Sequence, residues 1–358
     1  MHNSYSLKDK FKSLLPWHPA RIETIAMMMV GMIQLKTVNL RVIARSMGSS
    51  SLIDSRHKRL KRFFAKFEFS QHEISKLIAN WLLPKGKWIL CIDRTNWKFG
   101  KTHINILMIS VAQKSGLSIP LIWKILPKAG NSNTEERIQI MTCFIDIFGS
   151  ERIEYLAADR EFIGQKWFKW LKDKEIPFRI RIKANFLARR PDRVHSLKNY
   201  RYFSIREGES MVLNKHRIMW GIPVYLSCYR SGSERVIIAS DQYTLSALKD
   251  YSFRWKIETL FQAFKGRGFD LESTHITKTE RLDRLVSILV LSYCWAYNSG
   301  FWRNENKPIK KLKHGRMAQS IFSYGMEWLS DQLFSHQVDT VEFTSLLPNA
   351  NQMTLNSG

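Results

Sequence analysis

The chain is poor in acid, poor in cysteine and without a long apolar run. Its 358 residues hold 31 Asp and Glu against 56 Lys and Arg, a formal net charge of +25. A deficit of that size, spread along the chain, implies an extended polyanionic partner, and nucleic acid comes first. The alternative is a ribosome-associated or merely basic housekeeping protein, because charge names a partner and not an activity. The four cysteines, Cys91, Cys143, Cys228 and Cys294, are far apart in apolar surroundings, with no C-x-x-C pair. That spacing argues against a zinc site and for buried, reduced thiols. Ile25 to Leu35 is too short to cross a bilayer, and Leu285 to Tyr297 is short and broken by Ser287, Ser292 and Tyr293. Both read as core helices, so no membrane partner is expected. The opening residues lack the form of a signal peptide, which points to a cytoplasmic location. No internal repeat is visible.

What is present suffices for packed cores: 44% of residues are hydrophobic and 12% aromatic. The length exceeds what one core usually holds, so several domains are expected. Residues 1–84 read as helical. Val38 to Met47 is a helix candidate, Gly48 to Ser51 a turn with an N-cap, and Leu52 to Phe67 a second helix. In the second, Ile53, Leu60, Phe63, Phe64 and Phe67 share one face, and Arg56, Lys58, Arg59, Lys61, Arg62 and Lys66 crowd the rest. Such a helix-turn-helix could place Arg56, Arg59 and Arg62 against DNA. A solvated cationic face on a helical bundle is the alternative.

Strand signals begin at Trp88 to Ile92, an apolar run that ends at Asp93. Ile104 to Ala112 and Leu117 to Leu126 follow as strands, separated by a turn at 114–116. Asn131 to Thr134, followed by Glu135 and Glu136, starts a helix that ends near Gly149. Ile153 to Ala158 is a buried strand ending at Asp159, and Gln165 to Lys174 is a helix. Three strands, a helix, a strand and a helix predict an α/β, ribonuclease-H-like mixed sheet with flanking helices over 85–175. From 176 to 245 the chain becomes β-rich, with short runs at Phe178 to Lys183, Tyr200 to Ser204, Met211 to Asn214, His216 to Trp220, Val224 to Tyr229 and Val236 to Ser240. This reads as an insertion, after which the core resumes over 246–303 with an apolar helix from about Glu280 to Phe301. Residues 304–358 read as a basic loop, a helix from Met317 to Phe334 and a loose tail.

The stretch Tyr251 to Lys265 carries the most chemistry. As one helix it would bring Tyr251, Arg254, Glu258 and Lys265 within about 60° of each other. Phe253, Ile257, Leu260 and Phe264 would lie opposite. A carboxylate can hold a hard divalent cation, and Arg, Lys and Tyr can grip phosphate oxygens. An amphipathic surface helix with an Arg254–Glu258 ion pair is the plain alternative. Asp93 and Asp159 each close an apolar strand, where an unpaired carboxylate is costly unless solvated, paired or bound to metal. On neighbouring strands they would give two hard oxygen ligands side by side, with Glu258 a third. Each Asp alone is equally readable as a turn acid.

With Tyr251, Arg254, Glu258 and Lys265 separated by two, three and six residues, the chain resembles the DDE transposases of bacterial insertion sequences marked by a Tyr-Arg-Glu-Lys signature. Cys91-Ile-Asp93-Arg-Thr95 resembles that family's first acidic motif and Ala158-Asp159-Arg160-Glu161 its second. The resemblance runs from about Trp88 to Phe301. It implies that Asp93, Asp159 and Glu258 hold two catalytic Mg²⁺ ions, with Mn²⁺ able to substitute. It also implies that Tyr251, Arg254 and Lys265 grip phosphates, with Arg160 either on DNA or paired to an acid. Implied too are a homodimer on double-stranded terminal inverted repeats, hydrolytic cleavage, and joining of 3′-hydroxyls to target DNA in a bacterial cytoplasm, at the nucleoid when DNA-bound. Relatives that excise through a hairpin can use a Trp before this helix; here Arg235 stands there, with Trp220 earlier. Hairpin excision is therefore left open. Two other readings stand beside transposition: a ribonuclease-H-like nuclease that cuts without joining, and a non-catalytic helix-turn-helix protein.

Overall fold

The computed structural model describes residues 2–47, 51–113, 116–313, 315–335 and 346–347. These form two compact units, one of residues 1–84, 96–104 and 259–358, the other of 85–95 and 105–258. The turns expected at 48–51 and 114–116 and the tail from Val338 fall largely outside the described residues.

The first unit begins with α1 (His2–Lys12), α2 (Pro19–Leu35), α3 (Leu40–Ser46), α4 (Ile53–Lys66) and α5 (Gln71–Leu82). Pro19 sits in the first turn of α2, where its missing N–H costs nothing. Asn39 caps α3 by accepting from the Arg41 and Val42 amides at 3.0 and 3.4 Å, and Ser70 caps α5 through the Glu73 amide at 3.3 Å. The apolar face of α4 is narrower than expected: Leu60, Phe63 and Phe64 are buried, but Ile53 at the helix start is 40% exposed. The cap of α4 is Leu52, with no side-chain hydrogen bond, in place of a serine.

The second unit is built on one sheet. Its strands are β1 (Trp88–Phe99), β2 (Thr102–Ala112), β3 (Ser118–Leu126), then, after α6 (Thr134–Phe148), β4 (Ile153–Ala158). After α7 (Gln165–Asp173) come β5 (Phe178–Ile182), β6 (Leu187–Arg189), β7 (Ser196–Lys198), β8 (Ser210–Val212), β9 (Arg217–Met219), β10 (Ile222–Ser231) and β11 (Glu234–Ser240). The order is β3-β2-β1-β4-β5-β11-β10-β9-β6-β7, with β8 on β10. β1, β4 and β5 are parallel neighbours, while β2–β3 and β5–β11 are antiparallel. This is the ribonuclease-H-like layout, covered by helices. The capping box of α6 forms as the sequence predicts: Asn133 accepts from the Glu136 amide at 2.8 Å and Glu136 accepts from the Asn133 amide at 2.7 Å.

Two expectations about strands are corrected. β1 does not stop at Asp93 but runs on to Phe99. Tyr200 to Ser204 is not a strand; Asn199–Tyr202 is a turn of 3₁₀ helix. The strands of the β-rich segment join the same sheet, because β11 returns to pair with β5 and extends the path. The chain then continues through α8 (Ala247–Ser252) and α9 (Trp255–Phe264) to α10 (Thr279–Asn306) and α11 (Ile321–Ser335).

α10 and α11, in the first unit, meet at two glycines. A Cβ on Gly300 would run into the Ile321 carbonyl and the Gly325 amide; one on Gly325 would run into the Ala296 carbonyl. Alanine is the better helix former by about 1 kcal/mol, but backbone atoms on the facing helix cannot rotate away as a side chain can. We therefore expect Gly300→Ala and Gly325→Ala each to lower stability by roughly 1–3 kcal/mol, seen as a lower urea midpoint. A rise in midpoint would show that the helices separate freely.

Candidate active site

The sheet register brings two acids together. β1 and β4 pair in parallel from Trp88↔Ile153 to Ile92↔Ala158. Asp93 and Asp159 are the next residue on each strand, and parallel neighbours lie about 4.8 Å apart. β4 ends at Ala158 while β1 continues, so both carboxylates emerge where one strand stops beside the other. The same register pairs Ala158 with Ile180 on β5. This sets Arg181 beside Asp159, with Nη1 at 4.0 Å from the carboxylate.

The third acid arrives on a broken helix. Tyr251 to Lys265 is not one continuous helix: α8 ends at Ser252, α9 starts at Trp255, and Arg254 lies in the break. Several groups fix that break. Buried Arg179 of β5 binds Asp241 at 2.9 Å and Asp250 at 3.4 Å, and Asp250 also accepts from Ser246 Oγ at 2.8 Å. Tyr155 of β4 donates to the Asp250 carbonyl at 3.3 Å, and Cys91 Sγ to the Phe253 carbonyl at 3.4 Å. Lys256 donates to the Gln113 carbonyl. The helix pair is thus tied to β1, β4 and β5, the strands that flank the two Asp residues.

Arg254 then gathers the acids. It is 3% exposed, and each guanidinium nitrogen takes a different partner. Nη1 donates to Asp93 Oδ2 at 3.3 Å, Nη2 to Glu258 Oε1 at 2.6 Å, and Nε to the Tyr251 hydroxyl at 3.1 Å. Tyr251 in turn donates to Asp159 Oδ1 at 3.2 Å. One side chain therefore links three carboxylates from two strands and a helix. Burial pulls the guanidinium down, but Tyr251, Glu258 and Asp159 raise it above its ordinary value. Burial pushes the Tyr251 phenol up to about 12, against the pull of Arg254. Burial also pushes Asp93 up to about 7, opposed by the Arg94 amide and by Arg254 and reinforced by Glu161 and Asp159.

The remaining predicted residues are placed as follows. Arg160 is exposed and its side chain has no partner among the described residues; Glu161 pairs with Arg94 at 2.9 Å. Lys265 belongs to the first unit, where it binds Glu272 at 2.7 Å and the Asn96 carbonyl at 3.1 Å. Of the α4 cations, Arg56 donates to the Met47 carbonyl and Arg59 to Thr24 Oγ1 at 3.2 Å, while Arg62 is exposed. Trp220 packs edge-on against Phe168 and Phe186, both at 5.6 Å, and leads with Gly221 a positive-φ turn into β10. Arg235 lies over the Tyr200 ring at 6.0 Å. Sequence reasoning missed Arg94, Arg179 and Arg181. The signal was Phe178-Arg-Ile-Arg-Ile, two cations at alternate positions of an otherwise apolar strand.

Residues 84–295, more than half of the chain, match the family described as Transposase DDE domain. The chain belongs to the DDE transposase family. No curated protein matches it. The match covers both strands that bear Asp93 and Asp159, the break that bears Arg254, and Glu258. DDE transposases act on DNA and use divalent metal ions. Among the described residues, no group of three or more His, Cys, Asp and Glu side chains is close enough to hold a metal ion. The donor chemistry still fits one, since Asp93 and Glu258 meet at the Arg254 guanidinium and Asp159 joins them through Tyr251, three hard carboxylates around one positive charge.

Asp93 gives a stability test. Its carboxyl titrates near 7 in the fold against 3.8 for an unperturbed Asp. The folded state therefore holds the proton more tightly, and this contribution to stability is lost as pH rises from 3.8 through about 7. Asp93→Asn should therefore be more favourable to the stability of the metal-free transposase at pH 8 than near pH 3.5. Urea denaturation of both proteins at the two pH values measures this. An equal effect at both would show that the carboxyl is not held protonated.

Proposed function

We propose that this transposase is a cut-and-paste enzyme of an insertion sequence. It recognises terminal inverted repeats in double-stranded DNA, hydrolyses the phosphodiester at the transposon end, and joins the freed 3′-hydroxyl to target DNA. The observation that carries this reading is the convergence of Asp93, Asp159 and Glu258 on Arg254 and Tyr251. Three acids collected from distant parts of a basic chain have no stability rationale of their own, because burying charge is costly even when paired. In hydrolysis, water forms a new P–O bond and the 3′-oxygen leaves as a hydroxyl. In joining, that hydroxyl displaces a strand of the target, so bond types are conserved.

In this reading Asp93, Asp159 and Glu258 would hold two Mg²⁺ ions, which neutralise phosphate charge and ready the attacking oxygen. Arg254 and Tyr251, at present turned to the carboxylates, supply donors for phosphate oxygens once those carboxylates have another cation. A homodimer on paired ends agrees with the need to cut both termini. A nuclease that cuts without joining shares the same acids and differs only in the fate of the 3′-hydroxyl.

Glu258 is half exposed on the first turn of α9, so its replacement removes little buried side chain, and circular dichroism confirms that the variant folds. We expect Glu258→Ala to keep duplex affinity and to lower cleavage of a transposon-end duplex in Mg²⁺ by at least about 100-fold, the equivalent of several kcal/mol. Cleavage at the parental rate would remove Glu258 from the active site. A product assay with labelled 3′-ends separates joining from cutting alone.

A further inference from the structure

The first unit contains a cavity of about 430 Å³ that none of the chemistry above uses. Its walls come from chain segments far apart in sequence. Arg41 of α3 and His57 and Lys61 of α4 form one side; His275, Lys278 and Arg281, at and before the start of α10, form the other. No Asp or Glu lines it. Lys61, Lys278 and Arg281 have no acid partner among the described residues, and Arg41 reaches only the exposed Asp54, at 3.3 Å. Burial, with Lys61 and Arg41 nearby, holds the His57 ring below its ordinary value; Asp54 opposes this only weakly.

The walls are fixed rather than adventitious. Thr37 Oγ1 and Ser273 Oγ are 3.1 Å apart, and the Ile276 amide donates to Thr274 Oγ1 at 3.2 Å. Arg284 donates to the Phe64 carbonyl, joining α10 to α4. The His275 ring stacks on Phe99 with centroids 5.0 Å apart and planes at 26°. A pocket that concentrates this much positive charge beside a single exposed acid is unfavourable by itself and is relieved by an anion. The first turn of α10 is left without a side-chain cap, which adds to the positive field.

We propose that this pocket grips phosphates of the DNA backbone, and so makes the DNA grip of the first unit bipartite. Its occupant is an extended polyanion because α4, which supplies part of the pocket wall, also carries Lys58, Lys61 and Arg62 exposed in succession. The inference rests on the DNA-processing reading above. The DNA is held both by the N-terminal helices and by the segment that follows the catalytic acids, so the pocket fixes how α4 is presented to the duplex. Phosphate contacts position and do not read sequence.

The test uses full-length protein and three variants: Lys278→Gln/Arg281→Gln, Lys61→Gln, and Lys166→Gln/Lys169→Gln as an equal-charge control at two exposed positions of α7. Circular dichroism and melting confirm folding. Both pocket variants should lose affinity for a terminal-repeat duplex and for an unrelated duplex alike, the double variant by about tenfold or more at 150 mM salt. The salt slope of the double variant should become shallower by about 2, near 0.9 per lost phosphate contact. The control should keep most of its affinity. Pocket variants that bind as the control does would overturn the proposal. So would His57 ring resonances that shift with micromolar inorganic phosphate or a mononucleotide but not with duplex, the mark of a small-ligand site. A Glu258→Ala protein that still cleaves, beside pocket variants that fail to bind, would sink the catalytic assignment and leave this one standing.

Discussion

The catalytic unit is organised by one guanidinium. Three nitrogens of Arg254 address three different groups, and through Tyr251 the fourth lies within reach. A lysine ammonium, a point charge on a flexible stem, cannot span that set; a planar fork can. The arrangement demands much of its surroundings, because breaking such a buried pair from one side leaves an uncompensated charge. The helix break at Phe253 and Arg254 is where this demand shows. An arginine inside a regular helix would face along one stripe, whereas here it turns back into the sheet.

The sheet meets that demand through register. Two parallel strands of unequal length place an acid on each at the point where the shorter stops. β5 then supplies two arginines of opposite use. Arg179 is buried between Asp241 and Asp250 and anchors α8, while Arg181 lies against Asp159. Scaffold and site therefore share one short strand, and what fixes the helix also sets the local charge around the acids.

Much of this was legible in the residues. The apolar runs ending at Asp93 and Asp159, the capping box at Asn133 and the spacing from Tyr251 to Lys265 all follow from local chemistry, and the family match bears out the fold and the class. The break between α8 and α9 was not legible. No proline or glycine marks it, and a helical pattern spans it; tertiary bonds from Cys91, Tyr155 and Arg179 impose it. β1 overran its expected end for a similar reason, since Thr95 and Trp97 remain buried beyond the acid. The cationic cavity was invisible because its walls come from positions more than two hundred residues apart.

The contact at Gly300 and Gly325 has a mechanical meaning. Ordinary helix pairs are separated by a layer of side chains that can change rotamer and let one helix slip a little along the other. Here backbone meets backbone, and a shift of one residue would press Ser299 or Phe301 against a peptide group. α10 and α11 are therefore coupled as a single stiff lever: a displacement applied to either one is transmitted to the other instead of dissipating between them.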